Sequence, residues 1–222
     1  ATLVGADLRG AYLDEAVFDG ANLTDADLTD SDGGFYAAGA DLTRALLDGA
    51  AARTLDGANL ADVSGGSFGT WYPSGSMVGA HIEGADFSDG YFWGVTSGGI
   101  TGSATFRPGV GVVNSYLFDR FVDVPGLDFS GADFSAVGLW NVDATGTDFS
   151  NAVLTLSVSE SDFIGASLDG ADLSTTYGWF VDFDSSSLVG VDAREADLYS
   201  SGWDDAVVIG TGDPAVFGSL YL

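Results

Sequence analysis

Ala6-Asp7-Leu8, Ala21-Asn22-Leu23 and Ala26-Asp27-Leu28 are one phrase set at multiples of five residues, and it returns as Ala171-Asp172-Leu173 and Ala196-Asp197-Leu198. Such a period fits neither the helical turn of roughly 3.6 residues nor the two-residue alternation of a strand. Each unit must be one short side of a coil that stacks on its neighbours. The large apolar residues that centre the units run from Leu3 through Leu8, Leu13, Phe18 and Leu23 to Leu28, then Leu42, Leu47, Leu55 and Leu60. They resume at Met77, Ile82, Phe87 and Phe92, at Phe129 through Leu154, and at Phe163 through Val208, with only Ala144, Gly178 and Ala193 small. Two residues before most centres stands a small residue, most often Ala, which leaves the centre room to share an interior.

The pattern Ala-(Asp/Asn)-(Leu/Phe)-X-X resembles that of the pentapeptide repeat proteins, and the likeness covers roughly two thirds of the chain. The resemblance implies an all-β fold, a right-handed quadrilateral β-helix with four pentapeptides per coil. It further implies about 9–11 coils of about 20 residues, and an inner aromatic stack of Phe163, Phe183 and Trp203. The sequence predicts a single domain over 1–222, a rod on the order of 50 Å long. Register breaks are expected near 31–38, 48–57, 61–76 and 97–127, followed by a non-repeat tail at 210–222. Arg53 stands where Ala is usual, which predicts a bulge.

Charge is the second constraint: 29 Asp and 4 Glu face 6 Arg and no Lys, for a net charge of -27. The repeat favours Asp just before the centre, but it leaves the X positions free to carry balancing Lys or Arg, and here only Arg9, Arg44 and Arg194 do so. Over the expected rod this is about one charge per 2 Å, close to the one per roughly 1.7 Å of duplex DNA. Such a surface repels nucleic acid and anionic lipid, and its partners are basic proteins or cations. The resemblance implies a DNA mimic that binds DNA gyrase or topoisomerase IV, a cytoplasmic role. The competing reading is a structural or extracellular module, a scaffold or filament component, whose acidity serves solubility or high-salt adaptation.

The outward Asp7, Asp27, Asp133, Asp148, Asp172 and Asp197 are the candidate contact ladder. Within the broken register from Ser97 to Pro125, two readings compete. Degenerate coils continue with centres at Phe106, Gly111, Tyr116 and Phe121, or a loop presents Arg107, Tyr116, Phe118 and Arg120 as a contact patch, since aromatics and Arg are enriched at interface centres.

Catalysis finds little support. His81 is the only histidine, in an outward position, and no Cys or Lys offers a nucleophile. Carboxylate pairs such as Asp182 with Asp184, or Asp204 with Asp205, need a desolvating cleft that the wall of a filled solenoid does not offer. No cofactor is expected. Asp172 with Asp192 and Asp162 with Asp182 should lie one coil apart, a repulsive arrangement that attracts diffuse counter-ions, but the Gly-Gly-X-Gly-X-Asp pattern of calcium β-rolls is absent. The longest apolar runs, such as Ala206–Ile209, fall far short of the roughly 20 residues that span a bilayer, so no membrane insertion is expected. The start at Ala1 without a leader suggests a mature product, a trimmed chain or a fragment. Bare terminal coils suggest a homodimer or end-to-end assembly.

Overall fold

The computed structural model describes residues 1–68 and 75–209 of the chain. Trp71, Tyr72, Pro73 and the tail at 210–222, singled out by sequence, lie outside the described residues. Within these no helix occurs, and the isolated bridges and the strand pairs that build the coils run parallel. Two compact units divide the chain. The first is Ala1–Pro108 with Ser115–Leu117, and the second is Gly109–Asn114 with Phe118–Leu222, described as far as residue 209.

Each unit is a quadrilateral β-helix, right-handed as parallel crossovers almost always are. In the first unit one column of bridges runs Thr2, Asn22, Asp41, Asn59, His81 and Thr101, in steps of 20, 19, 18, 22 and 20 residues. In the second a column runs Asp123, Asp143, Asp162, Asp182 and Gly202, in steps of 20, 19, 20 and 20. Three further columns pass through Asp128, Asp133 and Ser157, which makes four sides to the coil.

The corners explain the pentapeptide. After each centre the chain turns, as where the Ala6 amide donates to the Leu3 carbonyl at 3.0 Å. The third residue of that turn, Gly5, has φ of 61°. A β-turn of this kind needs positive φ at its third position, which is why Gly, Asp and Asn recur there. The residue before the centre secures the turn from the other side: Asp128 accepts the Ser130 amide at 2.9 Å, and Asp133 accepts that of Ser135 at 2.8 Å. Asp in this position therefore caps backbone as well as facing water.

Inside the second unit the centres compensate one another coil by coil. Ala144 shares its coil with Phe149 and Leu154, Gly178 closes the coil of Phe163, and Ala193 follows Phe183. Each small centre thus shares its coil with a Phe, which eases crowding in a dense interior. Phe163 and Phe183 stack at 5.5 Å, and Phe183 lies 4.4 Å from Trp203. Thr147 and Ser186 replace the usual Ala, and their hydroxyls donate to the carbonyls of Val124 and Phe183, so neither is orphaned.

The interruptions are absorbed locally. Gly34–Tyr36, Ala51–Thr54 and Ser67–Phe68 form a three-stranded sheet. The pairing slips from Phe35↔Ala52 to Tyr36↔Thr54, leaving Arg53 as the extra residue. Phe35 is fully buried and meets Phe18 edge-on at 5.8 Å. Two readings of the 97–127 segment need correction. Phe118, expected in a contact patch, is fully buried between Phe129 at 5.5 Å and Phe134 at 5.1 Å. Phe121, expected as a centre, is 52% exposed with φ of 60°. The register slips here, and the ring that fits the interior is the one three residues earlier.

A Cβ on Gly178 would collide with the Val158 carbonyl oxygen and sit 3.0 Å from Leu198 Cδ2. Gly178→Ala should therefore cost about 1–3 kcal/mol or more, the range for overpacking. Thermal or denaturant unfolding measures it, and a variant as stable as the parent would contradict the packing described.

Candidate functional site

Outward charge is unevenly distributed. On the first unit the column from Thr2 to Thr101 contains a single carboxylate, Asp41. On the second, Asp123, Asp143, Asp162 and Asp182 are successive bridge partners, a stripe unbroken over four rungs. Rungs of a parallel ladder are about 4.8 Å apart, so four carboxylates share about 15 Å of one face. Asp128 and Asp148 pair on the next face, and Asp172 with Asp192 on the one beyond.

The candidate ladder from sequence does not fall on one face. Asp7 and Asp27 are bridge partners in the first unit. In the second, Asp148 bridges Asp128, Asp133 and Asp172 flank Val153, and Asp197 pairs with Tyr177 on a separate face. The continuous stripe uses none of the six. The signal for it was in the sequence, since 123 to 143 and 162 to 182 are each 20 residues, but the 19-residue step from Asp143 to Asp162 hides it from arithmetic on 20.

Several carboxylates are occupied within the chain. Asp7 receives Arg9 Nε at 2.8 Å and Nη2 at 2.7 Å, which with the Arg9 amide holds its carboxyl down at about 2. Arg9 also reaches Asp27 at 3.6 Å, so the first-unit pair is partly neutralised. Arg44 pairs with Asp25, Arg53 with Asp14, and Arg194 with Asp192, each within 2.8 Å and each open to solvent. Arg107 stacks over Tyr91 at 5.0 Å and donates to the Gly90 carbonyl at 3.1 Å. Arg120 stacks over Trp140 at 4.8 Å. Arg107 and Tyr116 belong to the first unit, Phe118 and Arg120 to the second.

Within the acidic stripe Asp162 differs from its neighbours. Displacement of water from its flank, then the charges of Asp182 and Asp143, push its carboxyl above the ordinary range. Asp128 and Asp133 lie below that range, held there by hydrogen bonds from Ser130 and Ser135. His81 sits on the first unit's nearly neutral column, its Nδ1 3.1 Å from Thr101 Oγ1. Among the described residues no group of His, Cys, Asp and Glu is arranged to hold a metal ion, and no helix is long and apolar enough to cross a membrane.

A raised carboxyl pKa means that the folded state holds its proton more tightly than the unfolded one, so the ionised form weakens folding above that pKa. Asp162→Asn should therefore stabilise the protein near neutral pH, by less than about 1 kcal/mol for so exposed a charge. The gain should vanish as pH falls below the ordinary carboxylate range. Asp133→Ala should act oppositely, lowering stability at neutral pH and losing its effect in acid. Thermal unfolding of both variants at the two pH values checks the signs.

The chain matches a family model of pentapeptide repeats in 8 copies, over residues 1–32 and 120–155. No curated protein matches it in sequence. Among solved structures it is similar to HetL of the cyanobacterium Nostoc sp. strain PCC 7120, described as involved in heterocyst differentiation regulation. That likeness has 19% identity over 94% of this chain and 86% of HetL, with a TM-score of 0.37. A trypsin-treated QnrB1, a plasmid-mediated fluoroquinolone resistance protein, matches at 17% identity over 90% of this chain and 89% of its own, with a TM-score of 0.24. Overlaps this slight carry no structural argument. What carries the likeness is the repeat itself: residues 1–32 and 120–155 match the pentapeptide-repeat model, and the coil register described above has the same character.

Proposed function

We propose that the protein is a non-catalytic acidic scaffold that binds a basic surface of a protein partner, with the stripe of Asp123, Asp143, Asp162 and Asp182 in the place of a nucleic-acid backbone. The observation that carries this reading is the continuity of the stripe, four carboxylates on successive rungs of one face of the second unit. Burial of water-exposed flank at Asp162 and mutual repulsion along the stripe leave an unsatisfied negative field, which a row of Lys or Arg on a partner would relieve. The family resemblance names the partner class as DNA gyrase or topoisomerase IV, proteins whose DNA-binding grooves carry such rows.

The test is a gyrase and topoisomerase IV supercoiling and relaxation assay at low and physiological salt. The protein should inhibit or protect at low salt, weaken by roughly a factor of ten at physiological salt, and lose most of its effect in the triple variant Asp143→Asn, Asp162→Asn, Asp182→Asn. No effect at low salt would reject the topoisomerase reading. An effect unchanged in the triple variant would reject the stripe.

A further inference from the structure

The face of the second unit that contains the column Ser157, Tyr177 and Asp197 is unlike the other three. Its strands Leu139–Trp140, Val158–Ser159, Tyr177–Trp179 and Asp197–Tyr199 pair rung on rung in the order first with second and third with fourth. They turn outward a group of rings in mutual contact. Trp140 and Trp179 are 5.6 Å apart at 84°, Tyr177 and Trp179 are 5.5 Å apart at 71°, and Tyr177 and Tyr199 are 6.0 Å apart at 64°. Tyr177 is 43% exposed and Tyr199 38%, although a fold that hides rings elsewhere could have hidden these.

Two further features accompany the rings. The turn residues along its edge, Asn141, Glu160, Phe180 and Ser200, are all non-glycine with φ between 52° and 55°. A bulky Phe180 in the left-handed region, 63% exposed, is strained where glycine would be relaxed, and such strain collects at functional sites. The polar atoms are also fixed. Tyr177 and Tyr199 share a hydroxyl hydrogen bond of 3.1 Å, and Glu160 accepts from Trp179 Nε1 at 3.4 Å and from Asn141 Nδ2 at 2.9 Å.

We infer that this aromatic face docks an arginine-bearing extended segment of a protein partner, its guanidinium groups seated among Tyr177, Trp179 and Tyr199 beside Glu160. The ring geometry selects the ligand. Trp179 and Tyr199 are tilted by only 31° at 6.4 Å, but Tyr177 crosses them at 71° and 64°, so the three rings surround a cation with π faces and an edge, the arrangement that recognises cationic groups. Charge agrees: Glu160 and Asp197 sit on the same face, in a chain of net charge -27. The chain supplies its own example one end along, where the Arg120 guanidinium lies 4.8 Å over the Trp140 ring. Arginine is favoured over lysine because its planar group stacks on a ring while its edge reaches a carboxylate.

This inference rests on the basic-partner reading for the sign of the partner's charge, but it uses a different face, so the two can fail separately. The probe is a synthetic extended peptide alternating Arg and Ser, titrated into the full chain and followed by calorimetry and tryptophan emission. Tyr177→Ala and Trp179→Ala should each weaken binding by about tenfold, and replacing Arg by Lys in the peptide should weaken it several-fold. Asp143→Asn with Asp182→Asn, away from this face, should change it by no more than about twofold. Equal binding by the parent and Tyr177→Ala, whose ring is too exposed for its loss to unfold the coil, would overturn the inference. Loss in the Asp variant alone would overturn it too, while upholding the acidic stripe. Tight binding of a soluble β-glucan oligosaccharide without peptide binding would assign the face to sugars instead.

Discussion

The interior of each unit has a cross-section fixed by its own backbone ladder, and one inward side chain per side must fill it. Everything else in the structure follows from that constraint. It sets the small residue two before each centre, because two large ones cannot share a corner. It also sets which coils carry small centres, so that Gly178 closes the coil of Phe163 and Ala193 follows Phe183. At Gly178 the fit is tightest, since the Val158 carbonyl occupies the space of a Cβ. The core is therefore not a collection of independent apolar residues but a sequence of closed layers, each with its own volume to conserve.

Because the ladder is parallel and nearly in register, it also repeats the outer surface. Whatever stands before a centre is presented again one coil on, about 4.8 Å away. A chain of such coils writes its function in columns, and the second unit has two of opposite kind. One stacks like charges and leaves them in mutual repulsion at Asp162. Another stacks rings and holds them with hydrogen bonds and strained turns. Corner chemistry limits the freedom of these columns, since Asp before a centre is also a backbone cap, and its charge comes with that role.

Much of the fold was legible in the residues, because the period of five is incompatible with the alternatives and the inward pattern is dense. The surface was less so, for a physical reason. A coil need not contain 20 residues, since a corner can lose one or gain two without losing its ladder, as the steps of 18, 19 and 22 in the first unit attest. Each slip rotates the assignment of later residues among the faces. The Asp123 to Asp182 stripe passes through one such slip, and Asp133 and Asp197, which share a motif within the second unit, share no face. Phe118 and Phe121 exchange roles for the same reason: sequence spacing fixes how far apart two rings are, but not which one the local corner turns inward.

Register is therefore what a decisive measurement must read, and the absence of native cysteine makes it accessible. Asp143→Cys paired with Asp162→Cys places two thiols on bridged neighbours whose α-carbons lie within the span a disulfide can close. Mild oxidation of this double variant should give an intramolecular disulfide in nearly all molecules, seen as the loss of two thiol hydrogens by mass spectrometry. Asp143→Cys paired with Phe163→Cys, the partner that an unbroken 20-residue coil would choose, points one thiol into the core and should remain reduced. A disulfide in the second pair but not in the first would contradict the register, and with it the acidic stripe and the layers described here.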